Sequence, residues 1–211
     1  MRQFYQFAAF INPSLSEFNH SSGWALPEFQ YAECDYPLDK GSQKKVFDYL
    51  SRQPLFLNDF GSFEDSEFIV GFSFGDGAST NIQLAQIVDV ISQCYPKIPL
   101  YVQQEVALYC KSSGFVVLAE EGYQTTLDVA QKAHGVALGN KMGVIAQAWH
   151  AKRCVETCQS LGTEVVALRV INHFPYDDPQ PWVRNPINWV IKESHRETIT
   201  GYEISQRYQL L

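Results

Sequence analysis

No stretch of this 211-residue chain approaches the roughly 20 consecutive apolar residues that a membrane-spanning helix requires. The first apolar run, Phe7 to Ile11, is too short for the hydrophobic region of a secretory signal. Basic charge is also scarce: 16 Lys and Arg against 23 Asp and Glu give a formal net charge of −7. Neutralising nucleic-acid phosphates needs a basic face, so a nucleic-acid partner is not expected. The five cysteines contain no CxxC pair, and their odd number suggests reduced thiols. His150, Cys154 and Cys158 recur every four residues. On a helix, however, the first and last lie about 12 Å apart, too far for one ion, so no metal site is expected. Also missing are a GxGxxG fingerprint, a Walker lysine, a GxSxG elbow and an HExxH helix. These absences lead to the expectation of a soluble, cytoplasmic protein without the usual hydrolase or zincin anchors.

What is present is a globular composition, 45% hydrophobic and 18% charged. Residues 1–66 are aromatic and poorly periodic, with nine of the fourteen Phe residues and Trp24. Within them only 42–52 shows helical spacing, through Val46, Phe47 and Leu50. Phe4, Phe7, Phe10 and Trp24 are expected to be buried against the main domain or a second copy of the chain in a homodimer. From Glu67 short apolar runs alternate with helical patterns five times. The strands are "EFIVGF", "PLYVQQ", "FVVLAE", "KMGVIAQAW" and "EVVALRV". Continuous apolar strands joined by helices indicate a parallel sheet buried on both faces. The expected architecture is a Rossmann-like, three-layer α/β domain over 67–211, with 1–66 as an N-terminal extension packed on it. Ser79 is expected to cap the first helix, Thr125 to begin the third, and a final helix of about 20 residues to start near Ile187.

Open parallel sheets bind ligands beyond the carboxyl ends of their strands. The loop "GFSFGDGAST" brings Gly75, Asp76, Gly77, Ser79 and Thr80 there. Its glycines and the following helix start suit an anion, although a plain strand-to-helix turn reads the same way. Gln103 follows the second strand, Glu120 and Thr126 the third, and Trp149, His150 and Arg153 the fourth. His150 and Arg153 share a helix face. Arg153 suits phosphate or carboxylate, and His150 and Glu120 suit proton handling. Trp149 could wall a flat ring, with core packing as the alternative. His173 and His195 have no evident partners.

Two of these stretches, "EEGYQTTLDVA" with Glu120, Thr126 and Ala130, and "AWHAKRC" with His150 and Arg153, resemble the SanA- and YdcF-like family, a domain of unknown function widespread in bacteria. The resemblance extends to the C-terminal helix with Glu193 or Glu197 and covers about Glu67 to Tyr208. The family pattern departs at Val129, Tyr123 and Gln103–Gln104, where it tends to have Asn, Ser and a Ser-Gly-Gly turn. The resemblance implies a Rossmann-like fold and a polar strand-end site for a nucleotide-like ligand such as S-adenosylmethionine. The expected function is binding of an anionic or nucleotide-like small molecule with transferase or hydrolase chemistry. The alternative is a catalytically inactive relative acting as a protein-interaction module.

Overall fold

A computed structural model describes residues 2–17, 35–52 and 54–211. In chain order the elements are α1 (Arg2–Ile11), α2 (Lys40–Leu50), β1 (Phe68–Gly71), α3 (Ala78–Cys94), β2 (Leu100–Gln103) and α4 (Gln104–Ala107). Then follow β3 (Val116–Leu118), α5 (Thr126–Val136), β4 (Lys141–Gln147), α6 (Ala148–Ser160), β5 (Glu164–Ile171), α7 (Pro186–His195) and α8 (Gly201–Tyr208). The chain divides into two compact units, residues 56–173 and residues 1–55 with 174–211.

The 56–173 unit is the expected Rossmann-like α/β fold. Its five strands are all parallel, in the order β3-β2-β1-β4-β5. Side chains alternate across the sheet. Phe68, Val70, Phe72, Met142, Val144 and Ala146 share a core with Val129, Ala130 and Ala133 of α5 and Ala151, Cys154 and Cys158 of α6. Gly71 faces the other way, where an added Cβ would lie 3.5 Å from Val88 of α3. The outer edge of β5 is closed by residues 59–61. Phe60 and Leu168 exchange both backbone hydrogen bonds, and Asp59 accepts the N–H of Val170. Such cover removes an edge that would otherwise invite pairing with another chain. Gly61 is required there: its φ is +66°, and a Cβ would strike the Val166 carbonyl.

The two compact units divide the chain at other places than the expected boundary at residues 66 and 67. Residues 56–66 belong with the sheet, where Phe63 is fully buried against Gly143. The C-terminal helices instead join the N-terminal segment. Tyr36 donates to Asn188 Oδ1 at 2.6 Å, and the Ser42 and Tyr208 hydroxyls meet at 2.8 Å. Long-range pairing of this kind leaves no trace in local periodicity. α1 is a helix that the turn-rich sequence around it obscured, with Phe4, Phe7 and Ala8 buried at helical spacing. Phe10, expected inside, is 61% exposed because it falls off that stripe. Trp24 and Cys34 lie outside the described residues. The single final helix is two helices: α7 ends at His195, and Thr200 starts α8 with a capping box to Glu203. Among the described residues no helix is long and apolar enough to cross a membrane.

Candidate functional site

Strand order places the topological switch between β1, whose chain continues to β2, and its other neighbour β4. Ligands of open α/β sheets bind in the crevice outside the carboxyl ends at such a point. Both strand exits are built from side chains that bind backbone. After β1, the Ser73 N–H donates to Gln103 Oε1 at 2.9 Å and the Phe74 N–H to Asn81 Oδ1 at 3.1 Å. Asn81, fully buried, returns its amide protons to the carbonyls of Gly75 and Gly77 at 3.1 and 2.9 Å. Gly75 turns the chain at φ +72°. The turn is therefore preformed, but two of its N–H groups are already spent on side chains. α3 begins with Gly77 as its N-cap and has no side-chain cap, so the cap lies two residues before the expected Ser79. Asp76 and Ser79 are exposed, and Thr80 is fully buried.

After β4, Gln147 performs the equivalent task. Its Oε1 accepts the N–H groups of Trp149 and His150 at 2.7 and 3.0 Å, capping α6. Its Nε2 donates to the His173 carbonyl at 3.2 Å. The helix thus starts two residues earlier than the sequence suggested, and Trp149 and His150 both sit in its first turn. Thr125 caps α5 through a capping box with Asp128. The Thr125 hydroxyl, then its N–H, hold the Asp128 carboxyl below its ordinary value.

These starts bring the two motif stretches together. Thr126 Oγ1 of α5 lies 3.0 Å from His150 Nε2 of α6. His150 is buried, and the Phe74 ring from the β1 exit lies 5.9 Å from its imidazole. Arg153 follows one turn along α6, half-buried. On the α3 face, Thr80 Oγ1 lies 2.8 Å from His173 Nδ1.

Three expected site residues have other employment. Trp149 is a core residue, 1% exposed and packed on Phe56 at 5.7 Å, and so corrects the reading in which it walls a ligand. Glu120 is an exposed loop acid whose Oε2 pairs with Lys132 Nζ at 2.6 Å. Gln103 is a loop holder through Ser73. Cys154 and Cys158 are core residues, and burial pushes the Cys158 thiol up to about 12.

Sequence reasoning missed Asn81, Gln147 and the partner of His173, and it passed over Glu105. Glu105 follows β2. Its Oε1 accepts from Gln104 Nε2 at 3.2 Å, while its Oε2 is buried without a hydrogen-bond donor. The available signal was position alone, because Gln is not a usual helix cap and a single Glu after a strand is unremarkable. No protein-family model matches the chain, and no curated protein or solved structure is similar to it.

Proposed function

We propose that the 56–173 unit binds an anionic, nucleotide-like small molecule at the carboxyl ends of β1 and β4. The observation that carries this reading is the meeting of Thr126 and His150 at 3.0 Å beside the β1 exit, at the switch in strand order. The same meeting supports divergent membership of the SanA- and YdcF-like family, because it joins the two stretches on which the resemblance rests. In this reading the Gly75–Thr80 turn and the start of α3 face the anion, and Arg153 adds a fixed positive charge. His150 is the proton-handling group for transferase or hydrolase chemistry.

A ribose-bearing ligand fits the residues present. Doubly wound folds hold ribose hydroxyls with an acid after the second strand, and Glu105 supplies a buried oxygen that lacks a donor. This observation favours Glu105 for the hydroxyl-binding role, since Glu120 is already paired with Lys132.

A second reading, a binding module without turnover, is favoured by the loop N–H groups of Ser73 and Phe74 being filled by protein side chains. One experiment addresses both. The full chain, labelled with ¹⁵N, is titrated with inorganic phosphate, adenosine monophosphate and S-adenosylmethionine, and the amides of 75–80 and 149–153 are followed. Saturable shifts in both stretches support the site, and their absence at millimolar ligand overturns it. Binding with no turnover in a phosphoester and methyl-transfer screen selects the module.

A further inference from the structure

The two outer strands of the sheet differ in what covers them. β5 is closed by residues 59–61, whereas β3 has β2 on one side and, among the described residues, no strand on the other. An open strand edge is a template for pairing unless charge, proline or cover blunts it. The run Phe115–Leu118 contains neither a charge nor a proline. Its exposed side chains are apolar: Val116 is 55% and Val117 46% exposed. Val116 stands in register with Tyr101 and Val117 with Val102, so the two valines leave the sheet on opposite faces. α4 and α5 both pack on β3 and carry further exposed apolar residues. Val136 and Leu138 lie at the end of α5, where the Tyr101 hydroxyl donates to the Val136 carbonyl at 3.5 Å, and Leu108 ends α4. Exposed apolar residues gathered at one open edge mark an interaction surface.

The open stretch is bounded on both sides. Before it, Asp89 accepts the N–H groups of Lys111 and Ser112 at 3.0 and 2.9 Å. After it, Lys132 Nζ donates to the Ala119 carbonyl at 3.0 Å, and the Glu120 N–H donates to Gln104 Oε1 at 3.1 Å. A partner strand is confined to the stretch between. The charges at its two ends are opposite. Lys111 stands at the start and Glu121 at the end, both exposed and in no ion pair among the described residues. Glu120 is already paired with Lys132. Parallel pairing with a second copy would set each charge beside its like. Antiparallel pairing about a two-fold axis through Val116 sets Lys111 of each copy toward Glu121 of the other.

We propose that β3 is a dimerisation edge, at which two copies of this chain pair their β3 strands antiparallel. The covered β5 edges then form both ends of the joined sheet, so assembly closes at two copies. The strands of the two copies run in opposite directions, so the carboxyl ends of β1 and β4 open at opposite ends of the dimer. β2 separates β3 from β1, and the inference does not rest on the binding reading above.

The test is the mass of the full chain in solution, by sedimentation velocity and light scattering from low micromolar to submillimolar concentration. The chain weighs 24.0 kDa, and a species of twice that mass is expected to grow with concentration. Amide exchange at Val116 and Val117 should slow over the same range. Val117→Lys places an unpaired ammonium in the interface and should weaken the dimer by about 100-fold or more. Lys111→Glu and Glu121→Lys, at exposed positions that do not endanger folding, should each weaken it by about two- to fivefold, and the double variant should restore it. A monomer over the whole range overturns the proposal and leaves the edge to a partner of another kind. A dimer that Val117→Lys leaves as tight as before overturns it, because the interface then lies elsewhere. Growth past two copies overturns the closed pairing, and a double reversal as weak as the single ones overturns its antiparallel orientation. None of these results alters the phosphate titration, so the dimer and the binding site can fail separately.

Discussion

Replacing Gln147 by Leu removes three hydrogen bonds from a fully buried position. The N–H groups of Trp149 and His150 lose their acceptor, at about 1–3 kcal/mol each, and the His173 carbonyl loses a donor, at about 1 kcal/mol. The usual cost of losing a helix N-cap, about 1 kcal/mol, describes the first two bonds again and is not added. The leucine returns about 1–2 kcal/mol through its apolar surface. The net expectation is a loss of about 1–6 kcal/mol. It is checked in two ways. Urea unfolding followed by circular dichroism gives the global change. Amide hydrogen exchange gives the local one: protection of Trp149 and His150 should fall by about 100-fold, the equivalent of about 3 kcal/mol. A variant within about 0.5 kcal/mol of the parent, with both amides as protected as before, would refute the assignment of Gln147 as the element that joins β4, β5 and α6.

Gly143→Ala should destabilise the sheet unit by about 1–3 kcal/mol, because the new Cβ would lie within the buried Phe63 ring; adding Phe63→Leu should recover part of the loss in urea unfolding. Glu120→Gln should change stability by less than about 1 kcal/mol, since its pair with Lys132 is half-exposed, and should leave phosphate affinity unchanged in the NMR titration. Alkylation of the native protein at mild alkaline pH should modify exposed Cys94 well before Cys110 and Cys158, whose thiols burial raises to about 11 and 12; mass spectrometry of digests reads the order. Burial, more than the nearby Lys45 and Arg207, lowers the His195 pKa below 6.5, against the Ile191 carbonyl that raises it, so the unfolded chain binds this proton more readily. Stability should be full above pH 6.5 and decline as pH falls below it toward the folded value; urea midpoints across pH should show this slope, and His195→Gln should flatten it.

The sheet was legible because buried parallel strands write themselves as apolar runs. Phe68–Gly71 and Lys141–Gln147 fall inside the runs read from the sequence, and Glu164–Ile171 outruns its own by one residue. Thr125 was legible as a cap because its hydroxyl is the usual chemistry of a helix start. The grouping of 174–211 with 1–55 was not, since Tyr36 and Asn188 meet across 152 positions. α8 carried its own signal in Thr200 and Glu203, overlooked because the apolar pattern before it invited continuation. At the site, His150 and Thr126 were nominated from separate motifs, and the structure joins them. Asn81 and Gln147 went unseen because their partners are backbone groups, which every sequence possesses and none displays. Trp149 took the core-packing alternative: it stands beside a polar motif, but its ring is in the core.

The helix starts around the strand ends explain why recognition is assigned to the β1 side. Each helix begins with N–H groups that its own turns cannot satisfy, and these attract anions unless a side chain occupies them. α5 fills its start with Thr125 and Asp128, and α6 fills its own with Gln147. A ligand anion at either place would have to displace a bonded side chain, and at α5 it would also meet a carboxylate. α3 is a helix of 17 residues with a glycine cap and no side-chain cap. Its first turn is flanked by Gly75 in a left-handed turn and by the Thr80–His173 pair. The glycine cap leaves α3 without the side-chain capping that α5 and α6 have, which is why the proposed reading gives the anion's backbone contacts to the β1 exit and leaves His150 and Arg153 to α6. On this division Arg153→Ala should weaken phosphate in the NMR titration while the amides of 75–80 keep their resonances in the ligand-free protein. If the variant moved the amides of 75–80 as much as those of 149–153 before any ligand is added, the crevice would be a single yielding pocket, and the division between the β1 exit and α6 would fail.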